Sequence, residues 1–155
     1  MIFISHRGNL DGVKEQRENS LAYIDEAIEL GFDVEVDIRY KDGGLWLGHD
    51  EPQYRVKLGW LEDRKNNLWL HIKDYGSLLE MKKSDHLGLR YFCHQSDEFT
   101  LVNNGYLWCH NIHEEMTDDC IIPLLSSQDV VDYEQTSFGA VCSDYVFQCK
   151  EKFSE

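Results

Sequence analysis

The chain has 155 residues, 42% of them hydrophobic and 28% charged, which is ordinary for a globular domain large enough to bury a core. Residues 1–155 therefore read as one domain. With 29 acidic against 15 basic residues the formal charge is −14, which argues against nucleic acid or an anionic membrane as primary partner, because both need a basic face. A phosphorylated small molecule is still compatible, since a bound divalent cation reverses the local potential.

The apolar start Met1–Ile4 is too short for a secretory leader, and no run approaches the roughly 18 apolar residues of a membrane span. The cysteines (Cys93, Cys109, Cys120, Cys142 and Cys149) are odd in number and lack CxxC spacing. They read as reduced, mostly buried thiols, and the expected location is cytoplasmic.

In chain order, Ile2 to Ser5 reads as a first strand, followed by a loop rich in Gly, Asn and Asp. Ser20 caps a helix with Leu21, Ile24, Ala27 and Ile28 at helical spacing, and Gly31 stops it. Asp33 to Tyr40 is a strand that turns at Lys41–Gly44 and returns through Leu45 to Asp50. Further strands are expected at Leu68–Lys73, Arg90–His94, Tyr106–His110, Cys120–Leu124 and Gly139–Cys142, with helices at Gly76–Lys83 and Ser127–Gln135. Strands alternating with helices predict an α/β fold, a compact, reduced TIM-type (β/α) barrel with seven to eight parallel strands and some shortened helices.

Strand alternation separates two faces. Val34, Val36 and Ile38 point one way, toward helices, whereas Asp33, Glu35, Asp37 and Arg39 point the other. Carboxylates aimed into a barrel carry a desolvation cost that an oxygen-liganded divalent cation offsets; the competing reading is an edge strand with two surface carboxylates. On the next strand His71 and Lys73 share the inward phase. His6 and His49 close their segments, where two imidazoles suit general acid–base chemistry, and Arg7 offers a planar fork for a phosphate. His94 with Gln95, Trp108, His110 and Asp144 lie at strand ends as candidate pocket residues. His86 and His113 read as solvated, and Trp46, Trp60 and Trp69 as core.

These residues are similar to a known pattern. His6-Arg7-Gly8, Glu18-Asn19-Ser20, Glu35-Val36-Asp37, Asp42-Gly43 and His49-Asp50 resemble, in order and spacing, the N-terminal signature of glycerophosphodiester phosphodiesterases. His71-Ile72-Lys73 resembles that family's third-strand Glu-x-Lys, and Gly139 to Tyr145 its closing strand; Arg90 to Leu125 matches poorly. The resemblance is to a short, divergent branch of the phospholipase C-like phosphodiesterase superfamily.

The resemblance implies a TIM-type barrel, with one divalent cation on Glu35 and Asp37 and with His71 at the place of a third carboxylate ligand. It implies Mg or Ca, while an imidazole ligand tolerates Mn or Zn and predicts metal affinity that weakens below about pH 6. Lys73 would face the phosphate, and Glu18 and Asn19 would hold the ligands in place. The expected activity is metal-dependent hydrolysis of a small glycerophosphodiester-like substrate by the His6/His49 pair. The alternatives are a lyase of the phospholipase D toxin type that stops at a cyclic phosphate, and a non-catalytic phosphate- or metal-binding module.

Overall fold

The computed structural model describes residues 1–111, 116–134 and 137–154. His113 and the end of the helix expected to reach Gln135 lie outside the described residues. The chain forms a mixed α/β structure around one curled ten-stranded sheet. Its elements are β1 (Ile2–His6), α1 (Leu21–Glu29), β2 (Asp33–Lys41), β3 (Gly44–Leu47), β4 (Tyr54–Val56), α2 (Leu58–Asp63), β5 (Leu68–Ile72) and α3 (Tyr75–Lys83). They continue through β6 (Tyr91–Phe92), β7 (Phe99–Leu101), β8 (Leu107–Cys109), β9 (Cys120–Pro123), α4 (Ser127–Asp132), β10 (Ala140–Ser143) and α5 (Val146–Phe153).

Seven strands run parallel in the spatial order β6-β5-β2-β1-β10-β9-β8. The expected parallel set is therefore present, but the sheet as a whole is mixed. β3 and β4 pair antiparallel beyond the top of β2, and β7 pairs antiparallel with β8. Among the described residues β6 and β8 form no ladder with each other. Asn103 fills that seam: its N–H donates to Tyr91 O at 3.0 Å, its Oδ1 accepts from Tyr91 N at 2.8 Å, and its Nδ2 donates to Leu89 O at 2.9 Å. One residue, through its backbone N–H and its side-chain amide, thus satisfies edge groups that a neighbouring strand would otherwise pair. Inside the curl, the Phe92 and Trp108 rings stack across the same seam at 4.3 Å.

The period-2 alternation places the cores. Val34, Val36, Ile38, Leu68, Leu70 and Ile72 face outward under Ile24 and Ala27 of α1 and Met81 of α3. Ile4, Trp69, Phe92, Trp108, Ile121 and Cys142 fill the concave side. Trp69 is fully buried as expected, whereas Trp46 and Trp60 are only half-buried. Cys109, Cys120, Cys142 and Cys149 are buried free thiols, and Cys93 is exposed. No helix among the described residues is long and apolar enough to cross a membrane.

The N-terminal end of the parallel strands is sealed by a charged plug. Asp33 accepts from Trp69 Nε1 (2.8 Å), Asn67 Nδ2 (3.1 Å) and Arg90 Nη2 (3.2 Å), and the Arg90 guanidinium lies 3.9 Å over the Trp69 ring. Asp33→Ala leaves the Arg90 charge and the indole N–H without their acceptor. We expect it to cost about 1–3 kcal/mol of stability, read by urea unfolding, with no change in metal affinity at the opposite end. An unchanged midpoint would show that the plug contributes nothing.

Candidate metal centre and catalytic cleft

β2 sets the site because residues 35 and 37 share one pleat face. Glu35 is 1% and Asp37 0% exposed. β5 lies alongside in parallel register, with Asp37 beside His71, so His71 joins them on the concave face. Its Nδ1 lies 3.5 Å from Glu35 Oε1 and 3.3 Å from Asp37 Oδ1. One ligand atom from each of the three falls within 4.8 Å of the others. His71 Nε2 faces the His94 carbonyl at 3.4 Å. That contact fixes the ring so that Nδ1 of a neutral imidazole presents its lone pair to the carboxylates.

Two buried atoms of this cluster, Glu35 Oε2 and Asp37 Oδ1, accept no hydrogen bond. The other Asp37 oxygen is held by Asn19 Nδ2 at 2.9 Å, while Asn19 Oδ1 accepts from Asp37 N at 2.9 Å. Orphaned buried oxygens next to an imidazole nitrogen fit a divalent cation by donor type and spacing. Three basic side chains crowd the carboxylates: His71 itself, Arg7 Nε at 3.0 Å from Asp37 Oδ2, and Lys73 Nζ at 3.7 Å from Asp37 Oδ1.

The loop after β1 wraps this cluster. Arg7 (φ 55°) and Asn19 (φ 60°) both adopt the left-handed conformation, which costs a non-glycine residue on the order of 1 kcal/mol. They are pinned to each other and to β2 by Asn19 N to Arg7 O (3.0 Å) and Arg7 N to Glu35 O (2.9 Å). Gly8 (φ 93°) admits no side chain, since a Cβ there would stand 2.8 Å from Tyr23 Cδ1. Glu18 accepts from Arg7 Nη1 at 3.2 Å and from Asn9 Nδ2 at 2.7 Å. Glu18 thus braces Arg7 and Asn9, and Asn19 braces Asp37.

His6 ends β1. Its Nδ1 donates to Asp144 Oδ1 at 2.8 Å, and its Nε2 stands 3.8 Å from Glu35 Oε2. Asp144 is buried and does not face the cleft, so its expected place as a pocket residue is corrected: it orients His6. Asn9, fully buried, also donates to Asp144 Oδ1 at 2.7 Å. Neither role was visible in spacing, since His6 and Asp144 are 138 positions apart. The one usable signal was an acid directly after the last parallel strand.

His49 arrives differently from the other site residues, on the loop after antiparallel β3. Gly48 N donates to Asp37 O at 3.0 Å, which brings that loop beside the carboxylates. The His49 ring pairs with Asp50 at 2.8 Å and is 39% exposed. His6, Arg7, Glu35, His49, His71 and Lys73 all line one cleft of about 890 Å³, together with His94, Trp108 and His110. The imidazole of His94 stacks on His71 at 4.7 Å and meets His110 at 4.0 Å. His86 sits on an exposed 3-10 turn away from the cleft.

The charges set the protonation. Burial opposes protonation of His71, but the close carboxylates of Asp37 and Glu35 outweigh it and raise its pKa to about 9. Burial would raise Asp37, yet His71, Arg7 and Asn19 hold it well below the usual carboxylate range. For His6 the loss of solvent is likewise overcome by Asp144 and Glu35, so its pKa is raised. His94 is pushed down to about 4 by burial and by the His71 charge.

A raised folded-state pKa stabilises the protein fully below the unfolded value, near 6.5, and the gain is lost as pH rises through the folded value. Metal-free protein should therefore lose stability between about pH 6.5 and 9, and His71→Gln should flatten that decline; thermal melts in chelator across this range check it. A wild-type melting temperature that holds constant to pH 9 would contradict the ion pairing of His71. No protein-family model, curated protein or solved structure matches the chain, so the geometry of the site carries the functional argument.

Proposed function

We propose that the protein is a metal-dependent phosphodiesterase of the glycerophosphodiester phosphodiesterase type, with the parallel strands forming a reduced TIM-type barrel. The observation that carries the reading is the clustering of buried Glu35 and Asp37 oxygens, one of each without a hydrogen bond, with His71, all within ligand distance of one another, under a cleft that also holds His6 and His49. Glu35, Asp37 and His71 would hold one divalent cation: Mg or Ca by resemblance, Mn or Zn by the imidazole ligand. Bound there, the cation would neutralise charge on a phosphoryl oxygen and on the attacking hydroxyl.

The chain's own residues do the rest. Arg7 and Lys73 present positive charge to the phosphate. His6, whose pKa is raised by Asp144 and Glu35, suits protonation of the leaving alkoxide. His49 then takes the proton from the attacking hydroxyl. In the resembled family that hydroxyl is the one next to the phosphate, so a cyclic phosphate forms first and water opens it.

Glycerophosphocholine with Mg, Ca or Mn is the direct probe, followed by product quantitation and phosphorus NMR in the Mg and Ca reactions. Glycerol phosphate and choline are expected; accumulation of only a cyclic phosphate assigns the lyase. His6→Ala and His49→Ala should each lower turnover by about 10²–10⁴-fold while folding and metal binding persist. Wild-type turnover in either variant contradicts the acid–base pair.

One observation favours a second reading, a metal-free phosphate-binding module. Protonated His71 together with Arg7 and Lys73 already balances the two carboxylates. Calorimetry separates the two. If His71 is a ligand, it gives up its proton on binding, so at pH 7 each Mn ion releases about one proton. Affinity then rises about tenfold per pH unit up to about pH 9, because the Asp37 and Glu35 carboxylates that lift the His71 pKa move this window well above the pH 6 expected from an ordinary imidazole. His71→Gln should remove the dependence. No heat with any divalent ion, or equal affinity at pH 6 and pH 8, would favour the module.

A further inference from the structure

Arg39 is the residue of β2 that the proposed chemistry leaves unused. It follows Glu35 and Asp37 on the same pleat face, yet it does not line the cleft. In a chain with 29 acidic residues, Arg39 forms no ion pair among the described residues. Its guanidinium instead reaches two backbone carbonyls. Nε donates to Gly48 O at 3.0 Å and Nη2 donates to His49 O. A planar fork with fixed donors is suited to gripping two acceptors at once.

The segment it grips has few other restraints. Among the described residues the His49 side chain forms a hydrogen bond or ion pair only with Asp50, whose side chain is itself 93% exposed, so the ring is positioned by its backbone. That backbone is anchored below by Gly48 N to Asp37 O (3.0 Å) and closed by Gln53 N to Leu47 O (2.9 Å). The turn is tight: a Cβ on Gly48 (φ 150°) would meet Glu51 O at 2.1 Å. Asp37 therefore holds the start of the turn and Arg39 the peptide that carries the imidazole. The strand that presents the carboxylates also fixes the height of His49 above them.

We propose that Arg39 is a positioning residue for catalysis, holding the His49 loop over the metal centre through the Gly48 and His49 carbonyls. The proposal rests on the reading of His49 as proton acceptor. Loss of this grip leaves Glu35, Asp37, His71, Arg7 and Lys73 in place, so it affects proton transfer and not binding. Displacement of a reacting group by about 1 Å costs on the order of 100-fold in rate.

The test uses the full chain with Mg and glycerophosphocholine. Arg39→Leu should lower kcat by roughly 10–100-fold, with KM, Mg affinity and thermal midpoint close to wild type. Arg39→Lys, which keeps one strong donor, should recover part of the rate. In a His49→Ala background Arg39→Leu should produce no further loss, because there is no longer a ring to place. Should Arg39→Leu fail to fold, Arg39→Gln provides the same comparison. Wild-type kcat in the Arg39 variants, or an equal loss with and without His49, overturns the positioning role. A wild-type rate in His49→Ala alone overturns the acid–base reading and this inference with it, and so marks a different failure.

Discussion

Glu35 and Asp37 are buried one pleat apart on the concave face of a parallel sheet, where two negative charges are expensive to desolvate. The surrounding residues answer that cost. Asn19 in a left-handed conformation holds one Asp37 oxygen, Arg7 in another lies against it, and His71 and Lys73 enter from the neighbouring strand. His6 stands within 4 Å of Glu35 and is itself tied to Asp144. Even so, one oxygen of each carboxylate accepts no hydrogen bond. Much of the chain is thus ordered around two acids, and these two oxygens are the feature on which the proposed cation site rests.

The opposite half of the molecule is pared down without opening the concave side to solvent. Between β6 and β8 a short hairpin replaces the helix of a regular β/α unit. Asn103 supplies the edge hydrogen bonds, and stacked Phe92 and Trp108 supply the packing. The same economy puts His94 and His110 at the rim of the cleft, stacked outward from His71. The shortened second half of the curled sheet thus also forms the cleft wall.

Much of this was legible in the sequence because strand alternation is a local signal. The phase of Val34-Val36-Ile38 against Glu35-Asp37, and of Leu70-Ile72 against His71-Lys73, put the cluster inside before any contact was known. The parallel strands were also readable from their apolar runs. What escaped was short or distant. β4 has three residues, and α2 holds a glycine and turns only once or twice. β7 hides in Phe-Thr-Leu, although Asn103-Asn104-Gly105 after it is a hairpin turn signal. α5 shows in the sequence only as Val146, Cys149 and Phe153 at helical spacing. Asp144 behind His6 and the grip of Arg39 on the His49 loop are long-range or backbone contacts, to which spacing is blind. The raised pKa of His71 also depends on packing: only proximity to both carboxylates lifts an ordinary imidazole to about 9.

Whether Glu35, Asp37 and His71 together ligate one divalent ion, as proposed, is read by anomalous diffraction at the manganese edge on crystals soaked with Mn at pH 8. The expected result is a single strong peak bonded to a carboxylate oxygen of Glu35, a carboxylate oxygen of Asp37 and Nδ1 of His71. A peak that leaves His71 turned toward its neighbours, or no peak between the carboxylates, would contradict it.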